Sequence, residues 1–263
     1  MKCVVVKLGG HALDSLDPDA PVLVDLAQDI NQLNREGTNV ALVHGGGPQI
    51  AELLASIGIS SRFVDGLRVT DALTMKYVAM ALQHVNLLIN AAFARAGVSS
   101  VGINGGDGSL FTSTSLGEPW LRAGATPRVR TELVSALWAK GFSPVISPFA
   151  LDDDGALLNC NADTSAGALA GALDADALVL LSDVDQLRTD VDDPASALDR
   201  VTIGDVERLV ESGAVKEGMR PKMVAALDAL HAGAARIIVA NGKRPHALRE
   251  ALSNLIPTTE VVR

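Results

Sequence analysis

Short runs of apolar, largely β-branched residues recur along this chain at 3–8, 40–43, 100–103, 144–147, 177–181 and 236–240. Longer stretches rich in Ala and Leu, with helical spacing, lie among them, most clearly at 22–35, 49–57, 72–95, 130–140, 164–173 and 222–231. A strand that is apolar at consecutive positions has no solvent face and must be covered on both sides. Such strands alternating with helices specify an α/β fold: a mainly parallel central sheet sandwiched between helices in three layers. Two segments break the rhythm. SRFVDGLRVTD (61–71) reads as a β-hairpin turning at Asp65-Gly66. The acidic, aperiodic 187–200 reads as a surface excursion. A change of character at FALDDDG (149–155) predicts one domain of two lobes, 1–150 and 151–263.

Composition narrows the class of partner. With 31 acidic against 22 basic residues and a formal charge of −9, the surface disfavours nucleic acid and anionic membranes. Cys3 and Cys160 lack CxxC spacing and read as reduced thiols of a cytoplasmic protein. The N-terminus enters an apolar strand at once, without the h-region of a signal peptide. No uninterrupted apolar run reaches the ~18 residues that suggest a membrane span.

The chemistry concentrates at strand exits. VKLGG ends the first strand with Lys7, Gly9 and Gly10; VHGGGPQI ends the second with His44, Gly45, Gly46 and Gly47. Neither GxxxxGK[ST] nor GxGxxG occurs, so P-loop and Rossmann mechanics do not apply. Glycines let backbone N–H groups approach an anion, and a helix beginning nearby adds its dipole. Ordinary strand-to-helix turns use the same residues; two such exits, one carrying a lysine, favour the anion. Lys7 ends an otherwise apolar strand, where an unpaired ammonium is costly. Lys222, with Arg220 and Gly218 nearby, opens an Ala-rich helix, where a cation opposes the dipole and calls for a negative neighbour. In NCNADTSAGALAGAL, Asn159, Asn161 and Asp163 precede a helix; one of the last two serves as its N-cap, and capping does not account for all three. Ser182, Asp183 and Asp185 follow a buried strand at the end where open α/β sheets bind ligands. Arg68, in the hairpin, suits bidentate carboxylate recognition. The five histidines show no metal-ligand spacing, and His44 reads as part of its glycine loop.

VKLGG, VHGGGPQI, GLRVTD, NCNADTSAGALAGAL, LLSDVDQL and GMRPKMVAAL occur in the order found in the amino acid kinase family, and the resemblance runs from residue 2 to about residue 251. It implies ATP-dependent phosphorylation of the side-chain carboxylate of N-acetyl-L-glutamate, with Mg²⁺ held mainly by the nucleotide. By the same resemblance Lys7 and Lys222 stabilise charge on the transferred phosphoryl group, and Asp163 holds both lysines. Gly45 and Gly46 bind substrate and phosphoryl oxygens, with Gly9 and Gly10 opposite; Arg68 and Asn159 grip the acylated amino acid. Ser182, Asp183, Val184, Gly218 and Met219 fall where the family binds ATP. The first lobe would then bind the acceptor and dimerise, and the second would bind ATP. The resemblance further implies a homodimer without the N-terminal helix that links family dimers into hexamers. Two other readings share the fold: a kinase for carrier-linked aminoadipate or glutamate, and a catalytically silent regulatory protein. The first needs a basic docking face; the second predicts loss of a lysine or of the aspartate, and Lys7, Lys222 and Asp163 are all present.

Overall fold

The computed structural model describes residues 2–9, 17, 19–190, 192–215 and 219–262. The first half of the chain runs β1 (Cys3–Leu8), α1 (Pro21–Arg35), β2 (Asn39–His44), α2 (Gly47–Ser56), the hairpin β3 (Phe63–Val64) and β4 (Leu67–Arg68), then α3 (Ala72–Arg95) and β5 (Ser100–Asn104). Short strands follow, β6 (Phe111–Thr112), β7 (Ser115–Gly117), β8 (Leu121–Gly124) and β9 (Arg128–Val129), then α4 (Glu132–Ala139) and β10 (Ser143–Ser147). Beyond them lie β11 (Phe149–Leu151), β12 (Leu157–Asn159), α5 (Ala162–Ala172) and β13 (Ala177–Ser182). The chain closes with β14 (Arg200–Thr202), α6 (Ile203–Glu211), α7 (Arg220–His231), β15 (Arg236–Asn241), α8 (Ala247–Leu252) and β16 (Thr259–Val262).

The main sheet has eight strands in the order β14-β16-β15-β13-β1-β2-β10-β5, parallel except where β16 meets β15. Alternation along each strand sorts side chains between two cores. Val4, Val6 and Leu8 of β1 pack with the buried faces of α1, α3 and α8; Val5 packs with α4, α5, α6 and α7 on the other side. This is the three-layer sandwich expected. Lys7 shares the face of Val5 and so points toward α5, whereas His44, one residue beyond Val43, shares the face of Leu42 and points toward α3. α3 is long and apolar enough to cross a membrane by length and composition, but its Val85, Ile89 and Phe93 are fully buried in the sandwich.

The hairpin forms as anticipated, with Asp65 and Gly66 both at positive φ, 49° and 78°. A second sheet, β7-β8-β12-β11-β6-β9, was not anticipated. Its strands are two to four residues long, too short for alternation to register. The predicted lobe boundary at 150 falls inside β11, and the main sheet continues across it because β1 pairs with β13. The second sheet braces the hairpin: Thr70 N–H donates to the Trp120 carbonyl at 3.3 Å, and Trp120 Nε1 donates to the Val64 carbonyl at 3.1 Å. α6, also unanticipated, opens with a capping box between Thr202 and Asp205.

α5 and α7 cross with their backbones touching. A Cβ on Gly167 would sit 2.5 Å from the Ala229 Cα, and one on Gly171 would sit 2.6 Å from the Gly233 Cα. Glycine is therefore required at this crossing, and Asp163 and Lys222 each lie in the first turn of one of the two crossing helices.

Candidate active site

A cleft of about 400 Å³ opens beyond the carboxyl ends of β1 and β2. It is lined by Lys7, Gly45, Gly46, Arg68, Asn159 and Asp163, six of the residues singled out from the sequence. Lys7 Nζ lies 3.0 Å from Asp163 Oδ1, and each side chain is about one-sixth exposed, 16% and 17%. Asp163 is free for this contact because Asn161 is the N-cap of α5, accepting from the Asp163 N–H at 2.7 Å. A half-buried ammonium is thus paired, yet remains at the cleft wall.

Arg68 is 7% exposed. Its Nη1 donates to Ser61 Oγ, its Nη2 donates to the Gly47 carbonyl at 3.2 Å, and its guanidinium lies 4.7 Å from the centre of the Phe63 ring. Burial lowers its pKa from the ordinary arginine value; guanidinium basicity keeps it charged all the same. Asn159 Nδ2 donates to Thr70 Oγ1 at 3.2 Å, tying β12 to the base of the hairpin. Ser61, Phe63 and Thr70 are positioning partners that the sequence does not flag, because nothing in their residue types marks a contact with Arg68 or Asn159.

The glycine loops differ in detail from the expectation. The Gly9 N–H donates to the Leu181 carbonyl at 3.0 Å and the Gly45 N–H to the Leu8 carbonyl at 2.8 Å. Both donors extend the parallel ladder and so are already used within the sheet. Gly46 and Gly47 instead open α2, where the first N–H groups have no partner within the helix. These are the donors suited to an anion in the cleft. Gly10 lies outside the described residues.

Lys222 meets the negative neighbour its helix position demands, but that neighbour is Asp183: Nζ to Oδ1 is 3.2 Å. The expectation that Asp163 holds both lysines is met for Lys7 alone among the described contacts. Burial opposes ionisation of Asp183, yet Lys222 and hydrogen bonds outweigh it and lower its pKa. Ser182 Oγ donates to Asp183 at 3.1 Å. Asp185 is gripped by Arg244 at 2.7 Å and Asn241 at 3.1 Å. Val184 is half-buried against the core, and Met219, 1% exposed, belongs to that core, so any ligand contact from Met219 would come from its backbone. Gly218 lies outside the described residues.

The model of the amino acid kinase family matches residues 2–241. The chain belongs to this family. Acetylglutamate kinase of Symbiobacterium thermophilum is 40% identical over 257 residues, spanning 94% of this chain and 86% of the relative. Acetylglutamate kinase of Methanocaldococcus jannaschii is 38% identical over 260 residues, spanning 94% and 85%. Among solved structures, N-acetylglutamate synthase from Neisseria gonorrhoeae, complexed with coenzyme A and N-acetyl-glutamate, has a TM-score of 0.82 at 22% identity, covering all of this chain and 59% of that one. That likeness shows the amino acid kinase fold. Within this family member, Lys7, Asp163, Arg68 and Asn159 line one cleft, and Lys222, Asp183 and Ser182 gather past the end of β13.

Proposed function

We propose that this chain is an acetylglutamate kinase, transferring the γ-phosphoryl group of ATP to the side-chain carboxylate of N-acetyl-L-glutamate in the second step of arginine biosynthesis. The observation that carries this reading is the Lys7–Asp163 pair in a cleft shared with Arg68 and Asn159. Its relatives, named acetylglutamate kinase, support the choice of acceptor. A carboxylate acceptor is already ionised at neutral pH, so the reaction needs no general base. Phosphoryl transfer then depends on alignment and on neutralising charge at the transferred group.

In this reading the N-terminal half, joined by Asn159 from β12, supplies the acceptor site. Arg68 and Asn159 hold the acylated amino acid, and the Gly46 and Gly47 N–H groups face its reacting end with Lys7. The C-terminal half supplies the nucleotide site through Ser182, Asp183, Val184, Gly218 and Met219, with Lys222 reaching the phosphates. Mg²⁺ would arrive with the nucleotide and lend its charge there. The chain's own contribution is the two ammonium groups, each held by a carboxylate until the phosphates arrive.

We also infer a homodimer formed through α3, whose Leu73, Met80 and Leu87 recur every seven residues and are 54%, 55% and 68% exposed. Sedimentation of Met80→Glu/Leu87→Glu as a monomer, against a dimeric parent, tests this. A cytoplasmic setting is in keeping with Cys3 and Cys160 as free buried thiols; recovery of the protein in a secreted fraction would contradict it. The decisive chemical test is trapping with hydroxylamine after incubation with acetylglutamate, ATP and Mg²⁺. An acyl phosphate gives the hydroxamate; ADP release without hydroxamate would remove the carboxylate as acceptor.

A further inference from the structure

Beneath the glycine loop lies a buried polar cluster that the proposed chemistry does not use. His44 is fully buried at the end of β2 and turns toward α3, away from the cleft. Its Nδ1 lies 2.8 Å from the Gly45 carbonyl. A carbonyl can only accept, so Nδ1 carries the hydrogen and Nε2 presents a lone pair. Ser147 Oγ at 3.1 Å and Asn86 Nδ2 at 3.2 Å converge on that lone pair. Asn86, 3% exposed in the middle of α3, also donates to the Val145 carbonyl at 2.9 Å.

The surroundings are shaped for this cluster. An asparagine inside a helix and a buried imidazole are both costly unless satisfied. Room for the Asn86 amide exists only because residue 102 is glycine: a Cβ there would fall 2.1 Å from Asn86 Oδ1. One turn earlier on α3, Leu82 would meet a Cβ on Gly46 at 2.7 Å. The helix is therefore fitted to the loop at two points, by hydrogen bonding through His44 and by contact at Gly46.

We propose that His44 is a positioning residue for phosphoryl transfer: a neutral imidazole, locked in the Nδ1–H tautomer by Asn86 and Ser147, fixes the Gly45 carbonyl and thereby aims the Gly46 and Gly47 N–H groups into the cleft beside Lys7. This rests on the kinase reading above. His44 is no general base, because its unprotonated nitrogen faces α3. Burial drives its pKa down to about 4, outweighing the hydrogen bond to Gly45, and no charged group contributes. The imidazole therefore stays neutral wherever a cytoplasmic enzyme works.

Two variants and one spectrum test this. In His44→Asn the amide nitrogen can take the place of Nδ1 and donate to Gly45; in His44→Leu nothing can. Misaligned donors cost rate more than affinity, so His44→Leu should lower kcat about 10- to 100-fold with acceptor KM little moved, while His44→Asn stays within about tenfold of the parent. A folded His44→Leu with parental kcat overturns the proposal, whereas absence of turnover in the parent counts against the kinase reading. Nitrogen-15 NMR of the unmodified protein needs neither variant nor substrate. It should show the His44 imidazole as Nδ1–H, unprotonated at Nε2, with no titration between pH 6 and 8. The Nε2–H tautomer, or an imidazolium in that range, refutes the tautomer lock.

Discussion

Lowering the pH from 7 to 5 should cost this protein stability through His44 in particular. The unfolded imidazole has a pKa of about 6.5, whereas burial holds the folded one at about 4. Between these values the unfolded chain binds a proton that the folded chain refuses. The contribution is therefore complete above about pH 6.5 and is lost progressively as the pH falls toward 4. At pH 5 the folded imidazole is still mostly neutral and the unfolded one almost fully charged, a difference of roughly 1.5 pH units of proton binding or about 2 kcal/mol. That is a sizeable share of a typical net stability of about 5–15 kcal/mol. Urea unfolding at fixed protein concentration, at pH 7 and pH 5, should be compared between the parent and His44→Asn, which cannot titrate. Asp183, with its pKa lowered, loses its contribution mainly at more acidic pH, and Asp29, raised by burial, is common to both proteins. The parent should lose about 2 kcal/mol more than the variant over that interval. Equal losses, within about 0.5 kcal/mol, would mean that His44 is not held neutral by burial.

Replacing either Lys7 or Lys222 by alanine should lower kcat by about 10²- to 10³-fold, as expected for groups that stabilise developing charge, and near-parental kcat in steady-state assays would remove that lysine from the mechanism. Arg68→Lys should raise the acceptor KM about tenfold, because the planar fork that reaches Ser61, Gly47 and the cleft is lost; an unchanged KM would take Arg68 out of the substrate site. Gly167→Ala drives a Cβ into the Ala229 backbone at 2.5 Å and should destabilise by about 1–3 kcal/mol. Its melting temperature should drop by several degrees, and parental melting would show that the α5–α7 crossing has slack.

The main sheet was legible in the sequence because its strands are buried on both faces, so consecutive apolar residues such as Val4, Val5 and Val6 mark them whatever their neighbours. The hairpin was legible through Asp65-Gly66, a pair whose positive φ values are a local chemical demand. The second sheet was hidden because strands as short as Phe111–Thr112 and Arg128–Val129 derive their pairing from partners distant in sequence. Thr202 and Asp205, by contrast, spell a capping box that could have announced α6.

For the site, residue types carried the reading and distances refined it. A lysine ending a buried strand needs an anion, and Asp163 supplies one at 3.0 Å. A lysine opening a helix needs another, and the structure gives Asp183 where Asp163 was expected. No sequence pattern distinguishes those two carboxylates, since the choice depends on how α7 lies against the end of β13. Likewise, five glycines at the two strand exits looked alike as anion donors; of the four that are described, Gly9 and Gly45 donate within the sheet while Gly46 and Gly47 open α2.

The central claim is that free acetylglutamate is the acceptor. Its most direct test is kcat/KM measured with ATP and Mg²⁺ across acetylglutamate, glutamate, aspartate, acetylaminoadipate and a carrier-linked aminoadipate. Acetylglutamate should lead the free amino acids by at least about 100-fold, since the hold proposed for Arg68 and Asn159 would lose its acyl-substituted partner. Turnover confined to the carrier-linked substrate would contradict the account and make this chain a kinase of tethered amino acids.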